Sequence, residues 1–550
     1  MTAGTPQMAS YAHGVSAVPL LGETIGANLE RTVARVPESE ALVSCQQRVR
    51  FNWAELNSAV DRLARGLLGL GLEKGDRLGV WSPNRYEWAL TQYATAKLGV
   101  ILVNINPAYR TSELEYALRQ SGCRMLVAAP EFKGADYRAM VAEVRDGLPV
   151  LEQAVFLESP EWDALAAGER GPDETALRTR MAELDFDDPI NIQYTSGTTG
   201  RPKGATLTHH NILNNALLLS GILGYTEADR VCIPVPLYHC FGMVIGNLAC
   251  SLSGACIVYP HAAFDPLATL AAMAAERCTT IYGVPTMFIA ELDCARFSEF
   301  DLATLRTGIM AGSPCPIEVM RRVGTEMGIE EMTIAFGMTE TSPASTMVRP
   351  DDTLEHRCGT VGQAMPHTEI KIVDPVSERT VPRGEAGEFR TRGYLVMRGY
   401  WDEPERTAEA VDSAGWMHTG DLATMDEEGY IRIVGRIKDL IIRAGENVYP
   451  REIEEFLYGH PAVVDVQVVG VPDERYGEEI MAWVIAREGA TIDADELREY
   501  CRGKIAHYKI PRYVANCSEF PMTVTGKIQK HKLRAKAIEK LGLRTEAGVL

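Results

Sequence analysis

Tyr194-Thr195-Ser196-Gly197-Thr198-Thr199-Gly200-Arg201-Pro202-Lys203-Gly204-Ala205 is the stretch on which the reading of this 550-residue chain turns. The apolar run 190–194 leads into it and predicts a strand, so the loop leaves a sheet edge with its direction already set. Three glycines, four Ser or Thr hydroxyls and two cations stand within twelve residues. That mixture suits a phosphate: glycine lets backbone N–H groups close on an anion, hydroxyls add hydrogen bonds or reach a metal, and Arg201 and Lys203 supply charge. The loop has neither the Gly-Lys-Ser/Thr ending of a P-loop nor a G-x-G-x-x-G fingerprint, so a generic nucleotide-fold reading fails. A solvated hydroxyl-rich surface loop is the plainer alternative, and the two cations count against it.

Working outward, the chain is long enough for roughly three or four domains. Its formal net charge of −19 excludes a general nucleic-acid binder, which needs a basic face to neutralise phosphates. Twelve cysteines without a C-x-x-C pair or His-rich spacing argue against a zinc site and suit buried free thiols in a reducing, cytoplasmic compartment. Residues 1–10 have neither the basic start nor the apolar core of a leader. The run 231–264 carries no Asp, Glu, Lys or Arg, but Pro234, Pro236, His239, Asn247, Ser251, Ser253 and Gly254 interrupt it. It predicts a buried helix followed by a buried strand, not an integral membrane segment.

Before the loop, Asn52 and Glu55 predict a capping box for a helix with Leu56, Val60, Leu63 and Leu67 on one face. A strand at 77–81, a helix at 87–97 and a strand at 100–104 follow, with Ser112 and Glu115 as the expected cap of the next helix. Strands at 123–129 and 153–158 continue this βαβ rhythm, which implies a largely parallel sheet covered by helices. The polar stretch 159–188 reads as a surface connection. Beyond the loop, a helix at 266–277 and a strand at 279–284 return to the alternation, while 359–434 turns to short strands with Gly and Pro punctuation. The tail predicts a helix from Arg451, strands at 463–469 and 480–486, and a basic run: ten Lys or Arg against two Glu over 502–540. That run is either a set of solvated helix faces or a holder of phosphates.

The twelve-residue loop closely resembles the signature loop of the adenylate-forming (AMP-binding) superfamily, and later stretches match the same family in order over nearly the whole chain. They are Ala311-Gly312-Ser313-Pro314, Phe336-Gly337-Met338-Thr339-Glu340, Gly399-Tyr400-Trp401, Trp416-Met417-His418-Thr419-Gly420-Asp421, Gly435-Arg436-Ile437-Lys438-Asp439, Ala444-Gly445-Glu446 and Met522-Thr523-Val524-Thr525-Gly526-Lys527-Ile528. The resemblance implies an α/β fold: a large N-terminal domain, 1–435, of two βαβ-type sheets plus a small β-barrel at about 359–434, and a small mobile α+β C-terminal domain, 436–550. It implies an ATP-dependent acyl-CoA synthetase using Mg²⁺ and coenzyme A, with an aryl-CoA ligase or a CoA-independent adenylating enzyme as alternatives. A homodimer is left open.

By the same resemblance Thr195, Ser196, Gly197, Thr198, Thr199, Gly200, Arg201, Pro202 and Lys203 hold the phosphates of ATP. Gly312, Ser313, Phe336 and Gly337 lie on its adenine side, with Phe336 in place of the usual tyrosine. Thr339 contacts the α-phosphate, and Glu340, with Thr198, binds Mg²⁺, a hard cation that takes oxygen ligands. Asp421 and Arg436 take the ribose, Lys438 is the hinge, Gly445 lines the channel for the CoA arm, and Lys527 is the mobile catalytic lysine. His239 and the helix after it wall the acyl pocket; read alone, a histidine in apolar surroundings is more often a satisfied structural residue. The absence of an acidic residue between Arg230 and Asp265 disfavours an amino-acid substrate. The opening Pro19-Leu20-Leu21-Gly22 and the spelling Pro236-Leu237-Tyr238-His239-Cys240 look most like medium-chain fatty acyl-CoA synthetases.

Overall fold

The computed structural model describes residues 8–195, 201–313, 315–444, 446–487, 489–522 and 528–543. The chain divides into two compact units, one of residues 12–370 and 391–418, the other of 1–11, 371–390 and 419–550. A five-stranded sheet is ordered Tyr11–His13, Thr368–Val373, Gly387–Gly393, Met417–Met425, Ile431–Arg436. This sheet takes most of the short strands expected at 359–434, although Gln363–Ala364 and Gly399–Tyr400 leave it for other sheets.

Two sheets build the larger unit. One runs Gly399–Tyr400, Lys203–Thr208, Pro189–Thr195, Ile101–Ile105, Arg77–Trp81, Met125–Ala128, Gln153–Phe156, and its last five strands are parallel. The other has nine strands, six of them parallel: Glu331–Gly337, Thr307–Ala311, Thr280–Gly283, Arg230–Cys232, Cys256–Tyr259 and Glu40–Ser44. Alternation of side chains sends Val231 and Ile257 into one core and Cys232 and Val258 into another, so both faces are covered. Each such aliphatic side chain, fully buried, contributes on the order of 1.5–3 kcal/mol.

The helix Trp53–Gly69 begins at the expected capping box: Glu55 N–H donates to Asn52 Oδ1 at 2.7 Å and Asn52 N–H to Glu55 Oε2 at 2.9 Å. Its Leu56, Val60, Leu63 and Leu67 are buried. Two expectations need correction. Helix Thr111–Ser121 is not capped by Ser112 and Glu115; the backbone is still extended at Arg110, so the third helical residue, Glu113, reaches back to Arg110 N–H at 2.9 Å. The stretch 159–188 is no simple connection either, for it holds helices Pro160–Ala167 and Glu174–Ala182. Ser159 and Asp173 cap them, and Trp162, Leu165 and Leu177 supply too narrow an apolar stripe to stand out in a polar run.

The smaller unit holds the tail, in which antiparallel strands Val463–Asp473 and Gly477–Ala486 pack under helices Pro450–Leu457 and Lys530–Leu541. Tyr513–Asn516 adds a parallel strand. All twelve cysteines are free thiols. Among the described residues no helix is long and apolar enough to cross a membrane.

Candidate functional site

Strand ends gather the larger unit's candidate residues. Arg230–Cys232, Thr280–Gly283, Thr307–Ala311 and Glu331–Gly337 lie side by side and parallel. Their carboxyl ends lead toward His239, Val284, Gly312-Ser313 and Met338-Thr339-Glu340, so segments distant in sequence open at one edge, where open parallel sheets bind ligands. Gly312 has φ +87°, and a Cβ there would stand 3.2 Å from Val284 Cγ1. Gly337 is fixed by space: its Cβ would lie 1.8 Å from Pro343 O, so even alanine must displace backbone. Phe336 beside it is partly buried, while Gly312 and Ser313 are exposed.

Thr339 and Glu340 sit in the 3-10 turn Thr339–Thr341, 6% and 4% exposed. A carboxylate at that depth needs donors. Tyr400 O–H donates to Glu340 Oε1 at 2.9 Å and Thr195 O–H to the same oxygen at 3.2 Å. Burial first, then the charge of Glu340, hold the Tyr400 phenol well above its ordinary range and keep it a donor. Gly399–Tyr400 reaches this place by pairing with Lys203–Thr208, Ala205 opposite Tyr400. The same pairing sets Lys203 Nζ 4.8 Å over the Tyr400 ring. Arg201 lies 5.6 Å over the ring of Tyr116, whose hydroxyl donates to Pro202 O at 3.0 Å. The signature loop's last cations are thus seated on two aromatic faces.

His239 Nδ1 accepts from Phe241 N–H at 3.2 Å. The next residue, Cys240, has its Sγ 3.5 Å from that nitrogen and 3.9 Å from Thr339 Oγ1. The His239 turn therefore adjoins the Thr339 turn. The segment after this turn is no ordinary helix: residues Phe241–Leu248 form a π-helix, every one of them buried.

In the smaller unit Asp421 and Arg436 face each other across antiparallel strands, with Arg436 Nε donating to Asp421 Oδ1 at 3.0 Å. The Asp421 side chain is 13% exposed and that of Arg436 49%. Gly420 at φ +71° turns the strand here, and Asp421 N–H is held by Thr419 Oγ1 at 3.1 Å. Lys438 stands in the 3-10 turn Ile437–Asp439. Loss of solvation first, and Arg436 second, push its ammonium below the usual range, against the pull of Asp439 and Asp421. Half of the basic run is held in ion pairs within the tail: Arg502 with Glu499, Lys509 with Glu452, Arg512 with Asp473, Lys530 with Glu454 and Arg534 with Glu478. For those five the solvated-face reading is the better one. Ser196, Gly197, Thr198, Thr199, Gly200, Gly445 and Lys527 lie outside the described residues.

Sequence reasoning quoted Tyr400 within a motif but gave it no role, and it missed Tyr116, the Cys240–Thr339 approach and the π-helix. Only the Gly399-Tyr400-Trp401 motif was a signal, and a pairing sixty residues from Glu340 is not visible in local pattern. No group of three or more His, Cys, Asp or Glu that could hold a metal occurs among the described residues. One buried carboxylate with neighbouring hydroxyls nevertheless fits Mg²⁺, which takes one or two protein oxygens and completes its shell with phosphate and water.

Two family profiles match the chain: AMP-binding enzyme over residues 29–401 and AMP-binding enzyme C-terminal domain over 452–527. The mitochondrial medium-chain acyl-CoA ligase ACSF2 of Danio rerio is 46% identical over 555 residues, 97% of this chain and 91% of that one. Among solved structures, the anthranilate CoA ligase AuaEII in complex with anthranoyl-AMP superposes with a TM-score of 0.84 at 28% identity, over 96% of this chain and 99% of the other. ATP-bound MatB from Rhodopseudomonas palustris gives 0.82 at 29% identity, over 95% and 100%.

Proposed function

We propose, because this chain belongs to the AMP-binding enzyme family, that it is an ATP-dependent acyl-CoA synthetase acting on medium-chain fatty acids. The observation that carries the chemistry is the buried Glu340 carboxylate, held by Tyr400 and Thr195 where the signature loop begins. In the first half-reaction a carboxylate oxygen of the acid attacks the α-phosphorus of ATP, the bond to the β-phosphate oxygen breaks, and acyl-AMP and pyrophosphate form. Nucleophile and electrophile are both anionic, so the protein's work is alignment and charge neutralisation. Arg201, Lys203 and the loop 195–200 hold the departing phosphates, Thr339 contacts the α-phosphate, and Lys527 bonds the carboxylate and α-phosphate oxygens. Asp421 and Arg436 hold the ribose, while Gly312, Ser313, Phe336 and Gly337 face the adenine. Glu340, with Thr198, would hold Mg²⁺, which when bound offsets charge on the phosphates.

In the second half-reaction the CoA sulfur attacks the acyl carbonyl, the thiol proton is lost, and AMP leaves. Residues 1–435 and 436–550 act as two domains that turn about Lys438, withdrawing Lys527 and presenting Gly445 to the pantetheine arm. Cytoplasmic residence goes with this reading, on the twelve free thiols.

The medium-chain assignment rests on the ACSF2 relative and on the uncharged run 231–264. An apolar pocket gains up to about 0.8 kcal/mol, roughly fourfold in kcat/KM, for each buried methylene until its end is reached. The test is kcat/KM for straight-chain acids from acetate to palmitate, beside benzoate, a cinnamate and leucine. The rising limb set by methylene burial should peak at roughly six to twelve carbons. A peak at acetate, or a preference for an aromatic acid, overturns the chain-length reading and leaves the adenylation standing. Pyrophosphate release without thioester formation in the presence of CoA would point to a CoA-independent enzyme.

A further inference from the structure

The helix Thr111–Ser121 buries Leu114, Ala117 and Leu118 in a core shared with Ile101, Val103 and Ile192 of the seven-stranded sheet. Tyr116 and Gln120, four residues apart, share another face of it, and that face holds the chain on either side of the signature loop. Before the loop, Tyr194 O–H donates to Gln120 Oε1 at 2.5 Å, with Ala117 O at 3.0 Å. After it, Tyr116 O–H donates to Pro202 O at 3.0 Å. The two tyrosine rings meet edge to face with centroids 6.2 Å apart. Gln120 Nε2 in turn donates to Trp401 O at 2.7 Å, which ties the strand Gly399–Tyr400 to the same face.

The Tyr116 ring does more than pack. The Arg201 guanidinium carbon lies 5.6 Å from its centroid, close enough for the ring's quadrupole to attract the cation. Arg119, on the same helix, shows the alternative arrangement, since Glu115 pairs with it at 2.5 Å and offsets its charge. Among the described residues no carboxylate pairs with Arg201. An aromatic seat restricts where a guanidinium can go and leaves its charge whole, with N–H groups still open to an anion. A cation meant for phosphates is better aimed this way than by a carboxylate.

We infer that Tyr116 is a positioning residue for the phosphate end of ATP: its ring aims the Arg201 guanidinium and its hydroxyl fixes the backbone at Pro202. The inference rests on the proposed role of Arg201 toward the departing phosphates and deepens it. Tyr116 itself touches no reacting atom and acts through the two residues it holds.

The experiment measures dissociation constants by calorimetry, with Mg²⁺ present, for α,β-methylene ATP, which cannot release pyrophosphate, and for AMP. The proteins are the wild type, Tyr116→Phe, Tyr116→Leu, Arg201→Met and the two double variants. Tyr116→Phe loses the bond to Pro202 and keeps the ring, so the triphosphate analogue should bind about fivefold more weakly. Tyr116→Leu loses both and should weaken it about threefold further. AMP has no phosphates for Arg201 to meet, and its affinity should hold in every variant. With Arg201→Met in place the Phe and Leu variants should bind the analogue alike, because the ring acts only through the guanidinium. Equal weakening of analogue and AMP, a Phe-to-Leu difference that survives Arg201→Met, or an unmoved analogue affinity overturns the inference. Should Tyr116→Leu not fold, Tyr116→Phe decides by the same comparison of analogue with AMP. If the wild type binds neither nucleotide, the proposed function fails instead.

Discussion

Glu340 and Asp421 are both carboxylates assigned to one substrate, and their settings differ. Glu340 is on a strand-end turn of the larger unit, 4% exposed, with two hydroxyls donating to a single oxygen. Asp421 is on an edge hairpin of the smaller unit, paired with a guanidinium that is half in solvent. The first arrangement fixes a charge before substrate arrives, which is what electrostatic catalysis requires. The second is a screened pair that ribose hydroxyls can join at small cost. Around Asp421 the chain runs into a 3-10 turn at Lys438 and a left-handed Ala444 at φ +55°, backbone of the kind hinges use. On the proposed mechanism, charge neutralisation would fall to the strand-end turn of Glu340 and the exchange of parts to the turn at Lys438.

The largest expected effect tests that division. Lys527→Ala removes a donor made only in the adenylating transition state, so pyrophosphate release should fall by about 3 kcal/mol or more, over roughly a hundredfold. Thioester formation from supplied acyl-AMP should be largely spared, and equal loss in both assays would erase the contrast. Glu340→Gln keeps the shape and hydrogen-bond capacity but not the charge. It should cost about 2–3 kcal/mol in the adenylation rate and raise the Mg²⁺ concentration needed for half-activity, since a neutral amide is a poor ligand for a hard cation. An unchanged Mg²⁺ requirement would remove Glu340 from the metal. Lys438→Pro fixes φ near −65° at the turn, leaves Glu340 as it is and removes from Asp421 only the pull of the Lys438 ammonium. It should slow thioesterification by at least about tenfold, near 1.4 kcal/mol, with adenylation almost untouched; equal rates in the two half-reactions would leave the turn without a hinge role.

The range of each signal decides how much was legible in the chain. The strand before the loop, the Asn52–Glu55 box and the parallel alternation are local or periodic, and they stand where the spacing placed them. The cap of Thr111–Ser121 failed because Arg110 and Ser112 offer helix starts two residues apart, and only the backbone at Arg110 decides between them. Residues 160–182 hid two helices because one or two buried side chains per helix leave no stripe to see. At the site, motif resemblance named Glu340, Asp421 and Arg436, and the hairpin register set the last two opposite each other. Tyr400 could not be found that way, because its contact with Glu340 is made by an edge strand joining a distant sheet.

That contact gives the smallest and most discriminating effect. Tyr400→Phe deletes one hydroxyl and leaves the ring under Lys203, so packing and the cation's seat are conserved. Glu340 keeps Thr195 as a donor. A lost hydrogen bond of this kind is worth about 1 kcal/mol net, roughly fivefold in adenylation. If Tyr400 serves to aim Glu340, the loss should fall on kcat and on the Mg²⁺ requirement, and KM for the fatty acid should hold. Asp421→Asn is the matching change in the other unit. It should raise KM for ATP by a similar few-fold while leaving the Mg²⁺ requirement alone, because a half-exposed ion pair contributes binding and not transition-state charge. Were the two variants to give the same kinetic pattern, the two carboxylates would be doing the same work, and the distinction drawn from their burial would collapse.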